Sequence, residues 1–240
     1  LIVWGVERVA TTPSAAIGRQ TPEQGIRSVD RKKPTAVVEG AKLVIASKYL
    51  IAIIMIVFLY ELASQMMDYL YKTAAESLQG TGATQAFFGQ IGAISAVISV
   101  IAQLFLVSFV IRKFGLTTAL LVLPVAMALA SGVYFAVPIL WTSALLYVSD
   151  NALSYSMNQT ARETLFVPMS DDIKYKARAF ANMLVQRTGK GTAILMALCL
   201  TAIPIRFLAV LAIIVTMIWS CFALYAGRRF DAMTDKHAHD

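Results

Sequence analysis

The sequence predicts an all-α membrane protein with six transmembrane helices. Three observations predict it. The chain of 240 residues is 58% hydrophobic and has a mean hydropathy of +0.67. Only 15% of it is charged, where ordinary soluble domains carry about a quarter charged residues. Apolar runs of spanning length recur along it, each bounded by charge, Gly or Pro. The same figures exclude a disordered chain, a collagen-like repeat and a disulfide-stapled module, since there are just 13 Gly and 2 Cys. Cys199 and Cys221 fall inside apolar runs and read as small hydrophobes. The net charge of +7 would suggest nucleic acid in a soluble protein. In a bilayer, basic residues instead gather in cytoplasmic loops, so no nucleic-acid partner is expected.

A helix needs about 20 apolar residues to cross roughly 30 Å of hydrocarbon. Runs of that kind cover residues 49–71, 86–111, 116–137, 141–161, 179–203 and 207–226. The first lies between Lys48 and Lys72, the second stops at Arg112-Lys113, and the third runs from Gly115 to Pro138. The fourth is interrupted by Asp150, Asn151, Ser154 and Asn158, and charge topology argues for it. The fifth follows Arg178 and carries Arg187 and Lys190 within it; the sixth lies between Arg206 and Arg228.

With the segment before the first span placed in the cytoplasm, that side receives seventeen of the twenty-one Lys and Arg residues. Arg112, Lys113, Arg162, Lys174, Lys176 and Arg178 are among them, and only Lys72 and Arg206 lie opposite. Without the fourth span the Lys174 cluster would fall on the wrong side. Both ends of the segment are therefore expected in the cytoplasm. Leu1-Ile2-Val3-Trp4 reads as the end of a preceding transmembrane helix. Residues 5–42 then form a cytoplasmic loop joining two membrane halves, 43–228 the six-helix domain, and 229–240 a cytoplasmic tail.

Polar groups in a membrane face a protein interior or a watery cavity, so their spacing shows which helices line something. Glu61, Gln65, Asp68 and Lys72 recur at intervals of 4, 3 and 4 on the first helix. Tyr147, Asn151, Ser154, Asn158 and Arg162 do the same on the fourth, with Asp150 alongside. The second carries small residues at Gly89, Gly92, Ala96 and Ser99, suited to close contact, and the fifth pairs Arg178, Asn182 and Gln186 with Gly189. The third and sixth are apolar almost throughout. Helices one and four are thus expected to line a cavity, two and five to form a packing seam, and three and six to face lipid. This division of labour resembles half of a major facilitator carrier, with the substrate held near mid-bilayer between two halves.

Glu61 lies thirteen residues after Lys48 and Lys190 twelve after Arg178. At about 1.5 Å per residue, both sit roughly 18 to 20 Å from cytoplasmic charge. Asp150 is twelve residues past Pro138 on the opposite side. The three ionisable groups converge on one middle layer. There they serve either as an ion pair holding helices together or as substrate contacts, and depth alone leaves both open.

Arg162-Glu163-Thr164-Leu165-Phe166-Val167-Pro168, followed by Ser170-Asp171-Asp172-Ile173-Lys174-Tyr175-Lys176-Ala177-Arg178-Ala179, resembles a signature of the ATP/ADP carrier proteins of plastids and intracellular bacteria. These are nucleotide exchangers with a major-facilitator-like fold. Gly189-Lys190 looks like a Gly-Lys pair whose lysine meets nucleotide phosphates, and Glu61 is similar to a glutamate of the family's seventh helix. The resemblance implies a C-terminal six-helix half with nucleotide (ATP/ADP) as substrate. Its partners would be an N-terminal six-helix half of the same protein and the lipid bilayer, expected to be a bacterial inner membrane. It also makes Arg112, Lys113, Arg162, Glu163, Lys174, Lys176 and Arg178 available for a cytoplasmic gate. Gln65 stands where the family has lysine, Gln159 where it has aspartate, and Arg112 where an acid is usual. These departures suggest a divergent bacterial member and bear on specificity.

Gly189-Lys190-Gly191-Thr192 lacks the glycine spacing of a phosphate loop. No nucleophile with a positioned base stands out, so no enzyme, cofactor or metal site is expected. Two other functions fit the residues: a proton-coupled carrier of a lipid or other small solute using Glu61, Asp68 and Asp150, and a non-transporting membrane scaffold.

Overall fold

The computed structural model describes residues 33–76, 81–154, 158–199 and 204–239. The expected span end at 1–4, most of the 5–42 loop and the close of the fifth span at 200–203 lie outside them. The chain divides into residues 1–35 and 36–240. Every regular element among the described residues is helical: α1 Lys33–Ala46, α2 Lys48–Glu76, α3 Thr81–Ile101, α4 Val107–Ala136, α5 Leu140–Leu153, α6 Gln159–Leu165, α7 Asp171–Phe180, α8 Gln186–Cys199 and α9 Ile205–His239. One-turn π-helical segments, Ala102–Leu106 and Ala181–Val185, join α3 to α4 and α7 to α8.

Among the described residues, four helical stretches are long and apolar enough to cross a membrane: Lys48–Glu76, Gly82–Phe105, Phe109–Ala136 and Phe207–Thr234. Gly115, within the third, has a φ of 79° and a ψ of 174° that interrupt α4 in a conformation open only to glycine. The fourth and fifth expected spans take a different form. The fourth is described as the 14-residue α5 and the seven-residue α6, on either side of residues 155–157. Asp171–Cys199 is helical through its π turn but carries Arg178, Arg187 and Lys190.

The core forms where α2, α4 and α9 pack together. Ile53, Ile56, Met66 and Met67 of α2 meet Leu120, Leu123 and Met127 of α4 and Trp219 of α9, all fully buried. Lipid tails are as apolar as leucine, so close approach through small residues has to hold such helices together. Ala209, Ala212, Thr216, Ala223 and Ala226 supply it at intervals of three, four, seven and three on one face of α9. A second cluster fixes the far end of α2 against α3 and α5, where Tyr71 stacks on Tyr147 with ring centroids 4.5 Å apart. Ser99 Oγ donates to the Asn151 carbonyl oxygen at 3.2 Å, tying α3 to α5. At the opposite end, Tyr49 Oη donates to the Leu165 carbonyl oxygen at 2.8 Å.

Two expectations about helix faces need correction. The third and sixth helices are not merely lipid-facing: α4 and α9 expose Leu129 and Met217 on one side and bury Met127 and Trp219 on the other. An all-round apolar helix gives the sequence no means of separating lipid from protein. Of the second helix's small stripe, Ser99 reaches α5, whereas a Cβ at Gly89 or Gly92 would meet nothing within 4 Å, so the glycines form no seam within the described residues. Part of the expected loop is also ordered as α1, and α9 continues through the expected tail to His239.

Candidate functional site: a two-sign cleft

A cleft of about 650 Å³ opens among α2, α5, α6, α7 and α8. Glu61, Gln65 and Asp68 enter it from α2, because intervals of four and three return a helix to one face. Asp150 and Asn151 come from α5, Arg162 and Glu163 from α6, and Arg178 from the last turn of α7. Asn182 reaches it from the Ala181–Val185 π turn, where one extra residue re-aims the helix; such turns recur at functional sites. Gln186 and Lys190 complete that wall from α8.

The charges are partly paired. Lys190 Nζ lies 3.6 Å from Glu61 Oε2. The guanidinium of Arg178 pairs with the Glu163 carboxylate, and its Nη2 also donates to the Glu163 carbonyl oxygen at 3.3 Å. Asp68 receives Lys72 at 2.5 Å on its own helix. Asp150 accepts a hydrogen bond from Ser64 Oγ at 2.5 Å through Oδ2, while its Oδ1 is buried without a partner. The Arg162 guanidinium lies over the Tyr60 ring, 5.0 Å from its centroid, and that ring packs on Trp219 at 5.7 Å.

Close approach of α8 to α2 depends on Gly189. A Cβ there would sit 3.0 Å from Glu61 Cβ and 3.2 Å from the Phe58 carbonyl oxygen. Glycine beside lysine therefore lets the lysine-bearing helix lie against the glutamate-bearing one.

The other expected residues lie elsewhere. Asn158 is buried with its Nδ2 unpartnered, outside the cleft lining. Arg112 and Lys113 stand beside the Gly115 break, where Lys113 Nζ caps the Phe109 and Phe114 rings at 5.4 and 5.6 Å. Lys174 borders a separate groove with Tyr175 and Asp171. Lys176 turns to Asp172 at 2.8 Å and Glu39 at 2.9 Å, and these two carboxylates raise its pKa. Of the expected gate residues, Arg162, Glu163 and Arg178 reach the cleft.

Tyr60, Ser64 and Phe166 also line the cleft and were not singled out from the sequence. The signal for the first two was present: Ser64 follows Glu61 by three and Tyr60 by four. Gln65 and Gln159 border the cleft as well. Among the described residues, no group of three or more His, Cys, Asp or Glu is arranged to hold a metal ion.

Four helices of spanning length, one of which borders a cleft of both charge signs, define an integral membrane protein. Residues 16–154 match the family model described as TLC ATP/ADP transporter, and the chain belongs to that family. It is 24% identical over 231 residues to ADP,ATP carrier protein 2 of Chlamydia pneumoniae, a match covering 84% of this chain and 43% of that protein. It is 25% identical over 198 residues to ADP,ATP carrier protein 4 of Rickettsia felis, covering 72% and 38% respectively. For the carrier protein 4 of Rickettsia bellii the figures are 26% over 203 residues, 75% and 39%. The chain thus spans about two-fifths of the length of these relatives. No solved structure matches it.

Proposed function

We propose that the chain is the C-terminal, six-helix half of a secondary transporter that exchanges ATP for ADP by alternating access. The observation that carries this reading is the convergence of Arg162, Arg178 and Lys190 on one cleft, beside the amides of Gln65, Asn182 and Gln186. A nucleotide crossing a low-dielectric layer needs cationic and hydrogen-bonding partners for its phosphates, and these groups are of the right chemistry. The opposite wall belongs to an N-terminal half. Rocking of the two halves about the cleft would expose it to each side in turn, with both ends of this segment in the cytoplasm. The names of the relatives support ATP and ADP as the cargo. Six crossings follow if α5 with α6, and Asp171–Cys199, each traverse the bilayer alongside the four long spans.

The test is uptake of labelled ATP into vesicles loaded with ADP, using the full-length protein. Exchange in the wild type that falls at least about tenfold in Lys190→Ala supports the proposal. An inert wild type, or undiminished exchange after that substitution, defeats it.

A second reading rests on a different observation. The cleft holds four carboxylates, Glu61, Asp68, Asp150 and Glu163, against three cations. That balance suits a proton-coupled carrier of a lipid or other small solute. Transport that follows the pH gradient and ignores nucleotides would favour it.

A further inference from the structure

The geometry points to Arg162 as the side chain of this cleft that takes the substrate's anionic group, a phosphate oxyanion if the nucleotide-exchange reading, on which the anion's identity rests, is right. The three cations bordering the cleft differ in what already neutralises them. Lys190 has Glu61 as its partner. Arg178 has Glu163, through both its carboxylate and its carbonyl oxygen. Arg162 has no carboxylate within ion-pair distance among the described residues, and its Nη1 is buried with no hydrogen-bond acceptor.

Arginine carries five N–H donors in a planar fork matched to carboxylate and phosphate oxygens. An unsatisfied, water-shielded nitrogen on such a fork is unfavourable as it stands, and it acquires a purpose if a ligand completes it. The fork is also held in place beforehand. Its guanidinium lies 5.0 Å from the centre of the Tyr60 ring, which is backed by Trp219 from the core, and this contact limits the side-chain freedom to be lost on binding. Lys190, by contrast, has its charge partly met by Glu61. Arg178 also has a buried, unpartnered Nε, but its charge is already met by Glu163.

The test uses the full-length protein in detergent and inorganic pyrophosphate as the probe, with Kd read from ligand-induced shifts in unfolding temperature. Arg162→Gln is expected to weaken pyrophosphate binding at least about tenfold, with the ligand-free Tm unchanged or raised because an unmatched charge has gone. Arg162→Lys keeps the charge but loses the fork, and is expected to weaken binding by a smaller factor, about threefold or more, at unchanged Tm. It carries the test alone if the glutamine variant does not fold. Affinities within twofold of wild type in both variants overturn the inference. So does a ligand-free Tm that drops in Arg162→Gln while Kd holds, which would mark Arg162 as a structural ion-pair member with another part of the protein. ATP/ADP exchange, measured in parallel, separates the two claims. A wild type that binds pyrophosphate through Arg162 yet exchanges no nucleotide defeats only the exchange reading. Exchange and binding that both survive Arg162→Gln defeat only the role of Arg162.

Discussion

Lys190 and Glu61 meet at 3.6 Å across the α8–α2 contact, but the two ends of the pair are unlike: the lysine side chain is 53% exposed and the glutamate 7%. Losing the lysine strands a carboxylate in a dry wall, whereas losing the glutamate charge leaves an ammonium already in contact with the cleft. Lys190→Ala is therefore expected to destabilise the full-length protein by about 2 kcal/mol, short of the about 3–5 kcal/mol seen when a fully buried pair is broken. Glu61→Gln is expected to cost less than about 0.5 kcal/mol. The double variant Lys190→Ala/Glu61→Gln should regain most of the lost stability and none of the exchange. Unfolding in detergent and vesicle exchange check both halves, and equal losses from the two single variants would contradict the asymmetry.

Gly189 gives a second prediction on the same contact. An alanine Cβ there would press on Glu61 Cβ at 3.0 Å and on the Phe58 carbonyl oxygen at 3.2 Å, and the latter belongs to helix backbone that cannot turn away. Overpacking of this kind costs about 1–3 kcal/mol, offset by about 1 kcal/mol of helix propensity gained over glycine. Gly189→Ala is expected to lower Tm modestly and to raise the KM for exchange more than Lys190-independent properties such as membrane insertion. Gly191→Ala, where a Cβ would meet nothing within 4 Å, is the matched control and should be neutral or stabilising.

These sites also show how much the chain discloses before it folds. The polar face of α2 was legible because Glu61, Gln65 and Asp68 sit at helical intervals in an otherwise apolar run. Residue count along a helix gave Asp150, Lys190 and Glu61 one expected depth, and in the structure the three line one cleft. Tyr60 and Ser64 were not, because an aromatic ring and a small hydroxyl blend into a membrane helix. The core of α4 and α9 was hidden for a related reason: Met127 and Leu129, or Trp219 and Met217, are equally apolar, yet one of each pair is buried and the other exposed. The fate of Lys176 depended on a residue 137 positions away in sequence, Glu39, which no local pattern connects to it.

That last contact makes a prediction outside the membrane spans. Gly40 on α1 packs so closely on α7 that a Cβ would lie 2.4 Å from the Lys176 carbonyl oxygen, a distance no side-chain rotation relieves. Gly40→Ala is expected to detach α1 from α7, seen as faster amide exchange over 36–46 and faster proteolysis before residue 48. The ion pair in the same contact sets the pH dependence. Asp172 and then Glu39 raise the Lys176 pKa, so its contribution is complete below lysine's ordinary value and is lost only as pH rises through the raised one. Protection of 36–46 should accordingly be flat from pH 7 to about 9.5. A decline across that range in the wild type would show that Lys176 does not hold the contact.

Ser64 and Asp150 supply the final prediction, because a single hydroxyl satisfies one oxygen of a buried carboxylate and nothing satisfies the other. Ser64→Ala removes the donor and leaves both oxygens unmet, which is expected to cost about 1–3 kcal/mol. Asp150→Asn removes the charge instead and retains an acceptor for Ser64, so it should be neutral or stabilising in the resting protein. If Asp150 serves only to hold α5 against α2, Asp150→Asn will transport as well as the wild type. If it exchanges a proton or receives a cation during the cycle, that variant will be stable and transport-deficient, and loss of activity without loss of Tm is the outcome expected of a carboxylate buried in a cleft wall with an oxygen left over. A variant that loses both together would instead mark Asp150 as part of the packing between α5 and α2.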